Sequence, residues 1–152
     1  MLVKPEELTS ELYEEILAEI TRGDIDEAIT QIKAAEDFCK SYLFKYDLKA
    51  LFGDDDDEPT VIDENLKKTV KIIASYWLVR KSNPNVNLDL FRDDWELMIG
   101  TKEAPGWLTQ IKEGYLVPSW PYKPDDPSTP DVDESANSQV SWSSNRKRTN
   151  SF

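Results

Sequence analysis

The chain has no histidine and only one cysteine, Cys39, among its 152 residues. The absence of histidine removes the side chain that most often acts as a general base or metal ligand near neutral pH. A single cysteine excludes a disulfide within the chain. Cys39 also lies among apolar residues at helical spacing, which favours a small buried side chain over a nucleophile. We therefore expect no enzyme, no catalytic residue, no cofactor and no metal site.

Long apolar runs are also missing. No stretch approaches the roughly 18 consecutive apolar residues that suggest a membrane span. No long apolar core follows Lys4, so the first residues do not resemble a signal peptide. We expect a protein that is made in a cytoplasm and does not associate with membranes.

Basic residues are few relative to acids: 18 against 30 give a net charge of −12. Such a surface repels nucleic-acid phosphates and favours solubility. The densest acids, at 54–58, repel one another and predict a solvated loop. A calcium-binding EF-hand loop beginning at Asp54 would need Gly and Glu where Pro59 and Asn65 stand. A specific calcium site is therefore not expected there.

Apolar residues recur at three- and four-residue steps in two long segments, 25–46 and 66–80. This period is that of an amphipathic helix. The first segment is compatible with helix as far as Phe52. We expect these two helices to form the centre of the fold and to bury their apolar faces against each other. The predicted core residues are Ile32, Cys39, Tyr42, Val70, Ile73, Tyr76 and Trp77.

Three further segments have helical patterns. Residues 5–21 form one, with a possible break near residue 10, and a helix opening at 87 or 89 is followed by a short one at 107–113. Asp24 and Asp63 are suited to cap the two central helices at their N-termini. The sequence thus predicts an all-α domain, residues 1–117, built as a compact bundle of four to five helices with a long extended C-terminal arm.

The composition changes after residue 117. Proline recurs every third residue from Pro118 to Pro130, which favours an extended segment without a core of its own. Residues 118–152 are therefore predicted to be an arm that orders on a partner. Its predicted assembly residues are Trp120, Tyr122, Val140, Trp142, Arg146, Lys147, Arg148 and Phe152.

At this point the residues resemble a known family, the small head–tail connector proteins, or neck adaptors, of Mu-like phages and prophages. The similarity covers about residues 4–116 and consists mostly of core positions. The matching segments are KPEEL (4–8), IDEAI (25–29), AE (35–36), SYL (41–43), KYDL (45–48), IASYWL (73–78), Phe91, WEL (95–97), IG (99–100) and IKEG (111–114). The chain departs from the pattern in its 100–107 segment and its Pro-rich tail.

The resemblance implies a structural virion protein located at the capsid–tail neck. It would form a ring beneath the portal, usually of twelve subunits. Its expected partners are copies of itself, the portal protein and other neck or tail proteins. DNA would pass through the bore without specific binding, and acidic walls would discourage the duplex from sticking.

Two other classes remain open. An acidic inhibitor that mimics DNA would present carboxylates in place of phosphates. An enzyme could pair carboxylates as acid and base, with Asp93 and Asp94 or Asp125 and Asp126 as candidates. Adjacent residues on a helix do not face each other, however, and the second pair lies in a predicted loop.

Overall fold

The computed structural model describes residues 1–22, 24–54, 57–82 and 86–124, and over these residues the fold is helical and without β-strands. The all-α prediction is confirmed. The elements are a 3-10 helix at Pro5–Ser10, α1 at Glu14–Thr21, α2 at Ile25–Tyr42, α3 at Leu48–Phe52, α4 at Glu64–Ser82, α5 at Leu88–Ile99 and α6 at Trp107–Glu113.

Side-chain caps set the starts of the principal helices. Asp24 accepts a hydrogen bond from the Asp26 amide, and Asn87 accepts one from the Asp89 amide. These caps satisfy amides in the first turn that have no partner within the helix. Gly114, with φ 83°, ends α6 in the left-handed conformation that glycine adopts without strain.

The long helix predicted from residue 25 to 46 or beyond is divided, and this prediction is corrected. Helix α2 ends at Tyr42, where the Leu43 amide is shared between the carbonyls of Cys39 and Lys40. A separate helix, α3, then begins, because the Asp47 carboxylate accepts a hydrogen bond from the Ala50 amide at 3.1 Å. The break considered near residue 10 of the predicted segment 5–21 is present, because the 3-10 helix ends at Ser10 and α1 begins at Glu14.

The core is centred on α2 and α4, which make the most extensive helix contact among the described residues. Ile32, Cys39, Val70 and Ile73 are fully buried there. The other three predicted core residues lie at the edge of this layer and are only half-buried, which corrects the expectation that they would be largely buried. These three residues are Tyr42, Tyr76 and Trp77.

The aromatic rings at the edge of the layer make defined contacts. Trp77 meets the ring of Phe38 edge-on at 5.6 Å between centroids, and Tyr76 lies against Trp95 of α5 at 5.7 Å. Helix α5 has no fully buried residue, so it covers α4 as an outer layer. Among the described residues, no helix is both long and apolar enough to cross a membrane.

Candidate functional site: the root of the C-terminal segment

The C-terminal segment is attached to the helical domain at Trp120. The Trp120 side chain is 6% exposed and lies among aromatic residues of other elements. Its ring meets Tyr46 edge-on at 5.4 Å and Trp107 edge-on at 5.9 Å. Such edge-to-face pairs add to the stabilisation from apolar burial. We call residues 118–124, with Tyr46, Asp63 and Trp107, the tail root.

A carboxylate holds the indole of Trp120. The indole Nε1 donates a hydrogen bond to Asp63 Oδ2 at 3.0 Å. Asp63 Oδ1 accepts a second hydrogen bond, from the Leu66 amide at 2.9 Å, as the N-terminal cap of α4. One side chain therefore starts a central helix and fixes the C-terminal segment.

The backbone of the segment pairs with the turn between α2 and α3. The Asp47 amide donates to the Pro121 carbonyl at 2.9 Å, and the Lys123 amide donates to the Lys45 carbonyl at 3.0 Å. These bonds form an isolated antiparallel bridge between Tyr46 and Tyr122. The two phenol rings stack with their centroids 5.3 Å apart. The pKa of Tyr46 is raised, mainly by burial and to a smaller extent by the nearby Tyr122.

This arrangement corrects the prediction for two of the assembly residues. Trp120 is buried in its own subunit, and Tyr122 stacks on its own subunit while remaining 63% exposed. The physical reason is that the indole finds both an aromatic pocket and a hydrogen-bond acceptor on the same chain. The other predicted arm residues lie outside the described residues; they are Val140, Trp142, Arg146, Lys147, Arg148 and Phe152.

Exposed apolar side chains lie on the segments that meet at the root. Phe44 precedes Lys45, whose Nζ donates to the Lys112 carbonyl at 3.0 Å and so joins the turn to the end of α6. Tyr115 and Val117 follow α6 and are 78% and 63% exposed. Large apolar side chains that remain in water around one point are typical of contact surfaces.

A buried carboxylate lies on α2, at Glu36. The Glu36 carboxylate, 5% exposed, accepts hydrogen bonds from the Leu2 amide at 2.6 Å and the Val3 amide at 3.4 Å. Burial raises the pKa of Glu36, although the two amides oppose this effect. The sequence signal was present, because Glu36 falls within the apolar stripe between Ile32 and Cys39.

The other candidates from the sequence are Cys39 and two pairs of adjacent aspartates. Burial raises the pKa of the Cys39 thiol to about 12, so the thiol stays protonated at neutral pH. Asp93 and Asp94 are both exposed on α5, and Asp125 and Asp126 lie outside the described residues.

The described part of the acidic loop is held by a lysine. Lys49 Nζ lies 2.9 Å from Asp54 Oδ2 and 2.8 Å from Asp57 Oδ2. The described residues hold no group of three or more His, Cys, Asp or Glu that could bind a metal ion. Asp55 and Asp56 lie outside the described residues.

Comparisons with protein-family models, with curated proteins and with solved structures find no match.

Proposed function

We propose that this protein is a head–tail connector, an adaptor that forms a ring beneath the portal of a phage capsid and lets DNA pass through its bore. The observation that carries the proposal is the tail root. Trp120 fixes the start of the segment on the helical domain, while 28 residues, 125–152, follow Pro124. A long segment with a fixed starting point is suited to reach a neighbouring subunit from a defined place.

Exposed apolar residues around the root support a subunit contact there. Phe44, Tyr115, Val117 and Tyr122 are each more than half exposed. Covering them on assembly would contribute roughly 25 cal/mol for each Å² of apolar surface removed from water. The root would therefore combine an interface patch with the start of an arm.

The charge distribution supports a bore that does not retain DNA. The net charge is −12, and several of the lysines and arginines are already paired with carboxylates. Lys67 pairs with Glu7 at 3.1 Å, and Lys81 pairs with Glu27 at 2.6 Å. Counterion-releasing contacts with phosphates need free cations, so pairing of this kind reduces nonspecific affinity for the duplex.

The test is the mass of the assembly. The full chain would be mixed with the portal protein encoded in the same genome and measured by native mass spectrometry. We expect a ring of many copies on the portal. The double variant Tyr115→Asp, Val117→Asp should lose this ring, because it places charge in the proposed interface. The matched control Leu90→Asp, Leu97→Asp alters equally exposed apolar residues on α5 and should retain it.

A chain that remains monomeric beside the portal protein contradicts the connector proposal. If the same chain then binds and blocks a nuclease or another DNA-binding protein, the acidic DNA-mimic alternative gains support.

A further inference from the structure

A groove lies between the 3-10 helix, α1 and the start of α2. These elements are at the N-terminal end of the domain, whereas the tail root follows α6. Its volume is about 310 Å³. Apolar groups from Pro5, Leu17, Ala18, Ile25 and Ala28 line it. Ile25 is 52% exposed, so part of this apolar lining remains open to water.

The hydroxyl groups of the groove are already satisfied. Thr9 Oγ1 donates to the Glu6 carbonyl at 2.8 Å, and Thr21 Oγ1 donates to the Leu17 carbonyl at 2.9 Å. Because both hydroxyls bond to their own helices, they do not demand a polar ligand. The groove therefore favours an apolar occupant.

Two carboxylates stand at this groove, those of Glu6 and Glu14. Both residues are exposed, and neither side chain has a hydrogen-bond or ion-pair partner in the part of the chain that the structure describes. This contrasts with Glu7 and Glu27, which are paired with lysines. An occupant with aromatic side chains beside cations would match both the apolar lining and the free acids.

We propose that the groove binds residues 142–152 of a neighbouring copy of this chain; this inference rests on the proposed function as a ring-forming adaptor. The segment has Trp142 and Phe152 at its ends and Arg146, Lys147 and Arg148 between them, the only run of three consecutive basic residues in the sequence. An aromatic ring fills the apolar groove. Arginine guanidinium groups pair with Glu6 and Glu14, since their geometry matches a carboxylate.

The segment is long enough to reach another subunit. Trp142 lies 18 residues beyond Pro124. An extended chain rises at most about 3.3–3.6 Å per residue, so this linker spans up to roughly 60 Å. A helical domain of this size has a diameter of about 35 Å from the usual scaling of the radius of gyration.

The positions of root and groove favour a neighbour over the same chain. The 3-10 helix and α1 pack mainly on α2 and α4, whereas α6, from which the tail emerges, packs on α2 and α5. The groove and the end of α6, which leads to the tail root, are thus built from different helices of one subunit. Repeated contact between two different surfaces is the heterologous interface that closes a ring.

The experiment locates the segment on full-length protein. A photoreactive benzoylphenylalanine replaces Asn150, which leaves the aromatic and basic anchors intact. Equal amounts of ¹⁵N-labelled and unlabelled copies are mixed with the portal protein and irradiated, and crosslinked peptides are sequenced. We expect links from position 150 to α1 or the 3-10 helix that join labelled with unlabelled chains.

A blocking variant supplies a second measurement. Ala18→Trp fills the groove from an exposed position and should lower the yield of these links at least about tenfold, equivalent to 1.4 kcal/mol of binding free energy. Ala34→Trp is the matched control, because Ala34 is equally an exposed helical alanine but does not line the groove. It should leave the links unchanged.

Three outcomes would overturn the inference. If every link joins two peptides of the same label, the segment occupies the groove of its own subunit. Links to other surfaces, or equal effects of the two tryptophan variants, would show that the groove is not the receptor. If a ring of the expected mass still forms in these cases, the proposed function stands while this inference fails. If groove links join different copies but no ring forms on the portal, the proposed function fails alone.

Discussion

Asp63 and Trp120 are 57 residues apart in the chain and are joined by a hydrogen bond of 3.0 Å between carboxylate and indole. The same carboxylate caps α4 through its other oxygen, at 2.9 Å from the Leu66 amide. Asp63 therefore couples the start of a central helix to the place where the C-terminal segment leaves the domain.

This coupling is measurable with the variants Asp63→Asn and Trp120→Phe. The asparagine keeps one oxygen for the cap of α4 but offers the indole an amide in place of the second oxygen. The phenylalanine removes the donor. Hydrogen bonds to charged groups contribute about 1.5–3 kcal/mol, so the two changes should be non-additive by roughly that amount in urea unfolding.

Trp77→Phe, combined with Asp63→Asn, is the control for that cycle. Trp77 contacts Phe38 and lies towards the C-terminal end of α4, about 20 Å from Asp63 at 1.5 Å per helical residue, so this pair should be additive within about 0.5 kcal/mol. Additivity of Asp63→Asn with Trp120→Phe would mean that the indole–carboxylate bond contributes nothing to stability.

Two truncations should differ sharply in stability. Removal of residues 125–152 leaves the described contacts of Trp120 with Tyr46, Asp63 and Trp107 in place and should not change the free energy of unfolding of the helical domain. Removal of 118–152 takes away Trp120 and exposes Tyr46 and Trp107, and it should cost on the order of 3–5 kcal/mol, as for truncation of a buried tryptophan. Circular dichroism during urea titration measures both. Equal midpoints for the two truncations would show that the root does not stabilise the domain.

The buried Glu36 should give a distinctive pH dependence. Its pKa is raised in the folded protein, chiefly by burial. A group whose pKa is raised on folding contributes stability that is fully present below its unfolded pKa, near 4.5, and is lost as pH rises through the folded pKa. The wild type should therefore lose stability relative to Glu36→Gln as the pH increases from about 4.5.

Urea midpoints of the two proteins, measured at a series of pH values, give this difference. Glu7 and Glu27, whose pKa values are lowered by their partners, are present in both proteins, so their effects cancel. Glu36→Ala should be less stable than Glu36→Gln by about 1–3 kcal/mol at every pH, because the Leu2 and Val3 amides lose their acceptor. A constant difference between wild type and Glu36→Gln would contradict the raised pKa.

Ile73 tests the central packing of α4. Its side chain is completely buried in the core. Ile73→Ala should lower the free energy of unfolding by on the order of 2–5 kcal/mol, since it removes buried methylene groups and leaves a cavity. Leu97→Ala, at a residue 66% exposed, is the matched control and should cost less than about 0.5 kcal/mol. Similar costs at both sites would place Ile73 outside the core.

The helices were predictable because their signals are local. Apolar spacing indicated α2 and α4. The starts of α2, α4 and α5 were indicated by residues suited to cap a helix, namely Asp24, Asp63 and Asn87. The division of the long helix was also encoded locally, in Asp47 and its bond to Ala50. It was missed because the helical pattern of the surrounding residues continues through the break.

The tail root was not predictable from local pattern. Regular prolines favoured an extended segment, and no nearby spacing connects Trp120 with Asp63 or Tyr46. Such contacts depend on how the helices bring distant residues together, and sequence periodicity carries no information about that arrangement. Glu36 is different: its place in the apolar stripe of α2 was a local signal of a buried acid, and this signal was missed.

The bridge at the root also has a mechanical consequence. Its two hydrogen bonds, from the Asp47 amide to Pro121 and from the Lys123 amide to Lys45, run across the paired segments. A pull parallel to the paired segments would load both bonds in shear at the same time. If these bonds break, the force acts next on Trp120, which directly precedes Pro121 in the chain. The root should therefore resist force on the tail. The two bridge hydrogen bonds and the bond between Trp120 and Asp63 would bear the load before the packing of α2 and α4 is disturbed.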